Sequence, residues 1–282
     1  MDRELRMKKV GSTVIKGIIY SIMILLLILC LAPFYLMIIN ATHSNQEILT
    51  NVNFLPGGKL LENFRVATSR IDFGRGFLNS IFVSTLSTLI MAYVGSLTAY
   101  GFSKYRFRGK GFLFWVMLVT MMLPDQAFVV GQFKLMGFLN LIDTHWALIL
   151  PSIVCAGMAF WIKQYCDTTV PNELIESGRI DGAGELQIFH RLIMPLLLPA
   201  IACMSIFNFI NTWNSFMTPL ILLISPEKFT LPLLMTAFTG KLSMDYGAYY
   251  CGIAIATVPI MICYLVFSRF IISGLTFGAV KE

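Results

Sequence analysis

The chain alternates long apolar stretches with shorter polar connections. Six stretches contain one charged residue or none, and each is close in length to the roughly 20 residues that a helix needs to cross a bilayer. These stretches are Gly17–Ile39, Gly76–Phe102, Gly111–Phe133, Trp146–Ile162, Leu192–Phe216 and Tyr246–Ser268. The pattern predicts an all-α integral membrane fold with six transmembrane helices. Because the number is even, both chain ends are expected on the same side of the membrane.

The composition supports a membrane protein. Of the 282 residues, 57% are hydrophobic and 13% are charged, whereas about 25% of a soluble domain is charged. The 6 cysteines show no C-x-x-C spacing and most lie inside apolar stretches, so neither a disulfide nor a metal site is predicted. The first apolar stretch is longer than a signal-peptide core of about 7–15 residues, and we expect it to remain as an anchor.

The net charge of +6 fits a membrane protein without any nucleic-acid partner, because cytoplasmic loops accumulate Lys and Arg. If both ends are cytoplasmic, the inner segments hold 14 of the 21 cations and the outer segments hold 7. The outer cations are Lys59, Arg65, Arg70, Arg75, Lys134, Lys228 and Lys241, and all others are inner. The loop KYRFRGK (Lys104–Lys110) favours this orientation most, since four cations in seven residues are costly to translocate.

One transmembrane domain is expected to cover residues 1–282. Its connections are a cytoplasmic N-terminal tail (1–16), an outer loop (41–75), a cytoplasmic polar insert (167–191) and a cytoplasmic C-terminal tail (269–282). Prolines predict that the fifth helix ends near Phe216 and that a second outer helix begins around Pro232.

The polar insert has the pattern of a helix–turn–helix. Pro171 suits a first helical turn, and Gly178, Gly182 and Gly184 are expected to break the chain. An apolar strip recurs on the second helix at Ile188, Phe189, Leu192 and Ile193, whereas the charged side chains remain for water or for a partner. Such an insert can dock a soluble protein and pass its motion to the fifth membrane helix as a rigid lever.

The insert resembles the cytoplasmic signature E-A-A-x3-G-x9-I-x-L-P of the inner-membrane permeases of ATP-binding-cassette importers. Glu176-Ser177-Gly178 stands for E-A-A, Gly182 for the glycine, and Leu192, Met194 and Pro195 for the closing residues. The segment ESGRIDGAGELQIF is similar to the carbohydrate branch, as are HWALILP, TWNSFMTPLIL and the terminal SGLTFGAVK. The resemblance is closest to the smaller permease of the maltose-transporter type.

The resemblance implies a multi-pass permease in a bacterial cell membrane that moves a carbohydrate by alternating access. The alternative within the family is a non-sugar solute such as a glycerol phosphate. No cofactor is expected on this chain, since ATP and Mg would sit on a partner ATPase dimer. The other implied partners are a second permease and an extracytoplasmic solute-binding protein. Contact with the ATPase is implied for Glu176, Ser177, Gly178, Arg179, Asp181, Gly182, Glu185, Gly274 and Lys281.

Two motifs depart from the family pattern. Ser177 and Gly178 replace the usual alanines, and the glycine lowers helix propensity by about 1 kcal/mol, so we expect a shorter first helix. The family's W-N-[DE]-F is Trp213-Asn214-Ser215-Phe216 here, without the acid. Gly182 should be favoured at the turn because glycine accepts a positive φ.

Polar residues on the fifth membrane helix are candidates for lining the substrate pathway. Asn208, Asn211, Thr212 and Ser215 share one helical face, with Trp213 and Asn214 beside it. Amides and an indole suit sugar hydroxyls and sugar ring faces, but such residues also hydrogen-bond neighbouring helices. Asp125 is the one carboxylate inside a predicted span, for which substrate contact and a helix-break or gating role are both open.

Two other functional classes compete with the importer. An ion-coupled carrier would be expected to show several ionisable residues in its spans or paired repeats, and only Asp125 is present. An intramembrane enzyme would need a motif such as H-E-x-x-H or paired catalytic side chains, which the spans lack. The sequence also has no G-x-x-x-x-G-K-[ST] phosphate loop, so ATP hydrolysis by that route must come from another chain.

Overall fold

A computed structural model describes the backbone of residues 2–154, 156–238 and 244–276, and the side chains of 15–124, 126–154, 156–238, 244–262 and 264–265. Throughout these ranges the regular structure is helical. The α-helices are α1 (Asp2–Asn40), α2 (Asn45–Thr50), α3 (Leu60–Arg70), α4 (Phe73–Lys104), α5 (Lys110–Met122), α6 (Val129–Phe138), α7 (Trp146–Ile149), α8 (Ala156–Thr169), α9 (Asn172–Ile180), α10 (Glu185–Ile188), α11 (Met194–Trp213), α12 (Met217–Leu222), α13 (Leu231–Leu234) and α14 (Tyr246–Thr276). Short 3-10 helices cover Asp125–Phe128, Leu150–Ile153, Pro226–Lys228 and Met235–Phe238, and a π-helix covers Phe189–Ile193.

Each predicted span coincides with apolar helix. Four stretches are long and apolar enough to cross a bilayer, namely Ile15–Asn40, Phe73–Lys104, Trp146–Thr169 and Glu185–Trp213, of which Trp146–Thr169 is described on both sides of Cys155 but not at that residue. The pair Lys110–Met122 and Gln126–Phe138 adds a fifth if it forms one bent span, and Tyr246–Ile262 is apolar but shorter. The all-α membrane fold is therefore confirmed, whereas the count of six spans stays a prediction.

The third predicted span is not one continuous helix. Helix α5 ends at Met122, and the chain bends by 99° before the following helix. Pro124 explains the break, because a proline disfavours helical geometry at the residue before it and cannot donate a backbone hydrogen bond. The backbone of Asp125 begins the short 3-10 helix that follows, while its side chain lies outside the described residues.

The fifth predicted span begins earlier than expected and is joined to the polar insert without a break. Helix α10, the π-helix and α11 follow one another directly from Glu185 to Trp213, whereas the sequence predicted a start at Leu192. Pro195 accounts for the π-helix, because proline lacks the N–H that would bond to the carbonyl of Arg191. The amide of Met194 instead donates to the carbonyl of Phe189, five residues earlier.

The described chain forms two compact units, of which the first comprises the described residues of the ranges Met1–Ile71 and Ala237–Ile255. Its polar centre is Asn63 on α3, whose amide donates to the carbonyls of Ala41 and His43 at 2.8 Å each. Gly247 lies so close to this amide that an added Cβ would sit 2.6 Å from Asn63 Nδ2. An ion pair of 3.4 Å between Arg70 and Asp245 adds a second contact between the two segments of this unit.

The second unit comprises the described residues of the ranges Asp72–Thr236 and Ala256–Glu282, and its core lies among α4, α8 and α11. Helix α4 presents small buried residues along its length, which lets neighbouring helices approach closely. These residues are Gly76, Ser80, Ser84, Ser87, Gly95, Ser96 and Ala99. At the Lys104 end of α4 the same core extends under the polar insert through Ile175, Ile188 and Phe189.

Gly178 lies within α9 and does not break it, contrary to the sequence prediction. The helix continues to Ile180, and Gly178 is buried on the side that faces α10 and the π-helix. A Cβ at this position would lie 3.1 Å from both Ile188 Cγ1 and Leu192 Cδ1. The glycine therefore permits a close approach of the two helices of the polar insert, at a cost in helix propensity of about 1 kcal/mol.

A polar cluster around Asp143 orders the connection after α12. Asp143 has a φ of 59°, and one of its carboxylate oxygens accepts the backbone N–H groups of Ile224 and Ser225 at 2.9 Å. The other oxygen accepts the Ser225 hydroxyl at 2.6 Å and Lys228 Nζ at 2.8 Å. These interactions, with Lys228 first, hold the pKa of the Asp143 carboxyl well below its ordinary value.

We expect Gly178→Val to destabilise the protein by about 1–3 kcal/mol, the usual cost of adding atoms to a packed contact. Thermal unfolding of the detergent-solubilised protein measures the effect. Ser177→Val is the matched control, because it adds the same β-branched side chain to the exposed side of the same helix. Equal melting temperatures for the two variants would contradict the close contact.

Asp143→Asn should lower the melting temperature at pH 7, because the amide cannot form the ion pair with Lys228. The pKa of this carboxyl is lower in the folded protein than in the unfolded chain, where it is about 3.9. Its interactions therefore stabilise the fold fully above that pH, and the stabilisation is lost as the pH falls through the pKa of the folded state. The difference from wild type should therefore shrink below a pH of about 4. Asp181→Asn, at an exposed carboxylate, should show little difference at any pH. A pH-independent effect of Asp143→Asn would contradict this account.

Candidate coupling site on the polar insert

The turn of the polar insert is built around Gly182, as the sequence predicted. Gly182 has a φ of +78°. Its N–H donates to the carbonyl of Arg179, and the N–H of Ala183 donates to the carbonyl of Gly178, at 3.0 Å each. This pair of bonds is the Schellman motif, which ends a helix with a left-handed residue that is usually glycine. The predicted helix–turn–helix of α9 and α10 is confirmed.

Apolar contacts hold the insert against the rest of its unit. Ile175 on α9 is buried, and Ile188, Phe189 and Ile193 are fully buried in the core that includes Tyr100. The ring of Phe189 lies 5.5 Å from that of Tyr100, measured between centroids. Because both helices bury one face, the insert is a packed element rather than a solvated loop.

The opposite face of the insert is exposed and polar. Glu176, Ser177, Asp181 and Gly182 are all exposed at this face. Neither Glu176 nor Asp181 forms an ion pair with any described residue. Ile180 stands four residues after Glu176, on the same side of the helix, and 86% of its surface is exposed. Two carboxylates, one apolar side chain and a glycine turn are thus available to a partner.

Arg179 and Glu185 are bound to each other. Arg179 Nε donates to Glu185 Oε1 at 2.7 Å, which joins the end of α9 to the start of α10. Glu185 Oε2 accepts the hydroxyl of Tyr105, and the guanidinium of Arg179 lies 5.9 Å from the centroid of the Tyr105 ring. Burial, together with the bond to Glu185, raises the pKa of the Tyr105 hydroxyl above its ordinary value, so it remains a donor.

The predicted pathway residues on α11 and just after it have different environments. Asn208 donates to Thr88 Oγ1 on α4 at 3.1 Å, and Trp213 is buried with its indole N–H donating to the carbonyl of Ala256. The Trp213 ring stacks on Phe209. Asn208 and Trp213 therefore connect helices, which is the alternative to lining the pathway that the sequence left open. Four predicted positions are exposed or half-buried, and they are Asn211, Thr212, Asn214 and Ser215. The helix ends at Trp213 rather than near Phe216, so Ser215 does not continue the predicted helical face.

Two predicted contact residues belong to the C-terminal part of the chain. Gly274 lies within the backbone of α14, and Lys281 is outside the described residues. Their contact with an ATPase stays a prediction, as does the role of Asp125. Among the described side chains there is no group of three or more His, Cys, Asp or Glu that could hold a metal ion.

Sequence analysis missed Tyr105 and Asp143. Tyr105 lies in the loop KYRFRGK, which was used only as an orientation signal, although an aromatic residue among four cations could have indicated a specific contact. No local sequence pattern indicates the role of Asp143, because Ser225 and Lys228, which donate to its carboxylate, are more than 80 residues away in sequence.

Comparison with known proteins gives a consistent result. The family described as "Binding-protein-dependent transport system inner membrane component" matches residues 91–276, more than half of the chain. The "Arabinooligosaccharides transport system permease protein AraQ" of Bacillus subtilis (strain 168) is 32% identical over 261 residues, 91% of this chain and 92% of AraQ. The "Lactose transport system permease protein LacG" of Rhizobium radiobacter is 30% identical over 263 residues, 93% of this chain and 95% of LacG.

A solved structure supports the fold. Its title is "Crystal structure of a bacterial ABC transporter involved in the import of the acidic polysaccharide alginate", and one of its chains aligns with a TM-score of 0.79 at 21% identity. The alignment covers 92% of this chain and 97% of that one. The relatives favour the importer over the ion-coupled carrier and the intramembrane enzyme. The chain is a multi-pass membrane protein and belongs to the binding-protein-dependent transport system inner membrane component family, as a permease of the ATP-binding-cassette importer type.

Proposed function

We propose that this chain is the permease subunit of an importer that moves a mono- or oligosaccharide, or a derivative, by alternating access. The observation that carries the proposal is the exposed polar face on α9 and the Gly182 turn, which pack on α10, together with the helical continuity from α10 into α11. The carbohydrate class is supported by relatives at 30% and 32% identity whose names specify lactose and arabinooligosaccharides. No observation favours a glycerol phosphate over a sugar.

The chain receives force and does not hydrolyse ATP itself. An ATPase dimer on the cytoplasmic side binds ATP and Mg and docks on the face formed by Glu176, Ile180, Asp181 and Gly182. A second permease completes the pathway within the bilayer, and an extracytoplasmic binding protein delivers the solute. This arrangement places both chain ends and the polar insert in the cytoplasm of a bacterial cell, in agreement with the excess of Lys and Arg on that side.

The lever follows from backbone continuity. When the docked ATPase moves, α9 moves with it, and the Schellman turn and the buried contact of Gly178 with Ile188 carry that displacement to α10. The helical backbone then carries it through the π-helix to α11, because a helix resists bending more than a loop does, even where Pro195 removes one hydrogen bond. A shift of α11 changes the position of Asn211 and Ser215, which we assign to the solute pathway.

Gly182→Asp tests the docking face. A tagged wild-type chain purified in mild detergent is expected to bring an ATPase with it and to support ATP-dependent uptake of labelled arabinooligosaccharides in vesicles. The variant should insert stably but lose the link between hydrolysis and uptake, because it adds a charge and a Cβ where φ is +78°. Asn172→Asp, which adds the same charge at the start of α9, is the matched control. Normal uptake by Gly182→Asp would remove the lever hypothesis.

Asn211→Ala tests the pathway assignment. A hydrogen bond to a solute hydroxyl contributes about 1 kcal/mol, so the KM for uptake should rise about fivefold without loss of folded protein. Asn208→Ala is the comparison, because its amide is bonded to Thr88 and its loss should lower the melting temperature instead. Unchanged transport by Asn211→Ala would show that this side chain does not contact the solute.

A further inference from the structure

The loop after α4 is bonded to the polar insert through one carboxylate. We call the trio Tyr105, Arg179 and Glu185 the Tyr105 clamp. One oxygen of Glu185 accepts Arg179 Nε at 2.7 Å and the other accepts the Tyr105 hydroxyl. Both oxygens of a single side chain are therefore engaged, one by α9 and one by the residue that follows α4.

Tyr105 is itself fixed to its surroundings on both sides. Its ring packs edge-on against Tyr100 of α4 at 5.3 Å between centroids. Its carbonyl accepts Lys110 Nζ from the first turn of α5 at 2.9 Å. A movement of the Tyr105 hydroxyl therefore displaces the end of α4 and the start of α5 together.

A second polar bond joins the same regions. Lys104 Nζ donates to the carbonyl of Val170, which lies between α8 and α9. The loop of residues 105–109 is thus bounded by two connections to the polar insert or its approach, one through Lys104 and one through Tyr105. Of these, only the Tyr105 clamp reaches both helices of the insert.

The clamp is too exposed to be an important source of stability. The side chains of Arg179 and Glu185 are 47% and 48% exposed, and surface ion pairs of this kind stabilise a fold little. Its geometric effect is larger, because it fixes the angle between α9 and α10 and ties both to the loop of residues 105–109. Glu176 and Asp181 remain for the partner, whereas Arg179 and Glu185 are engaged within the chain.

We propose that Tyr105 is a positioning residue for coupling: through Glu185 it makes the loop of residues 105–109 move together with the polar insert. This inference rests on the proposed function, and it adds a second route for the force. Displacement of the insert then reaches α4 and α5 as well as α11, so three membrane segments respond to one docking event.

The test uses the assembled transporter with spin labels at Arg108 and Gln187, two exposed positions on the loop and on the insert. Pulsed electron spin resonance measures their separation with ADP and with a non-hydrolysable ATP analogue. In the wild type the separation should stay constant between the two nucleotides. In Tyr105→Phe, which keeps the ring but loses the hydroxyl, the separation should broaden or shift with the ATP analogue.

Transport per ATP hydrolysed should fall about fivefold in Tyr105→Phe, the factor that one ordinary hydrogen bond contributes. The melting temperature should fall no further than in Tyr35→Phe, which also loses one hydroxyl bond. Glu185→Ala is a second variant, and adding Tyr105→Phe to it should have no further effect, since loss of the carboxylate already removes the acceptor of the Tyr105 hydroxyl. Tyr35→Phe is the control, because it loses a hydroxyl bond to the Phe54 carbonyl in the other unit. The proposal would be overturned if Tyr105→Phe showed the same label separations and the same transport per ATP hydrolysed as the wild type. A wild type without ATP-linked uptake would instead contradict the proposed function itself.

Discussion

The buried contact between α9 and the helix that runs from α10 into α11 is the interaction on which the account depends. Gly178 brings the two helices together, and Ile175, Ile188 and Phe189 fill the space beneath them. The backbone continues helically from α10 through the π-helix to the end of α11, although Pro195 and Pro199 each remove one intrahelical hydrogen bond. A polar surface element fixed to such a helix can pass on a displacement, whereas a solvated loop would absorb it.

Much of the fold could be predicted because the bilayer imposes a strong constraint. Long apolar stretches have few alternatives to helix in lipid, so the positions of α1, α4 and α11 follow from hydropathy alone. The turn at Gly182 was predictable too, since a left-handed residue at a helix end favours glycine. The bend after α5 is less predictable, because Pro124 indicates a break in the helix but does not determine the angle of the bend.

The rest depends on contacts between distant residues. Gly178 was expected to interrupt a helix on propensity, but tertiary packing against Ile188 outweighs that preference. The fifth span was predicted to begin at Leu192, where the charged residues end, yet α10 and the π-helix continue directly into α11. The partners of Tyr105 and Asp143 lie about 80 residues away, so no local pattern reveals them. Polar residues on α11 divide into helix-connecting and accessible groups only when their neighbours are known.

Protection of the polar insert by a partner tests the central claim most directly. A cysteine introduced at Ile180, the most exposed apolar side chain of the insert, can be labelled with a water-soluble maleimide in the isolated chain and in the assembled transporter. The account predicts rapid labelling of the isolated chain and strong protection once the ATPase is bound. Equal labelling rates in the two states would show that no protein is seated on this face and would contradict the account.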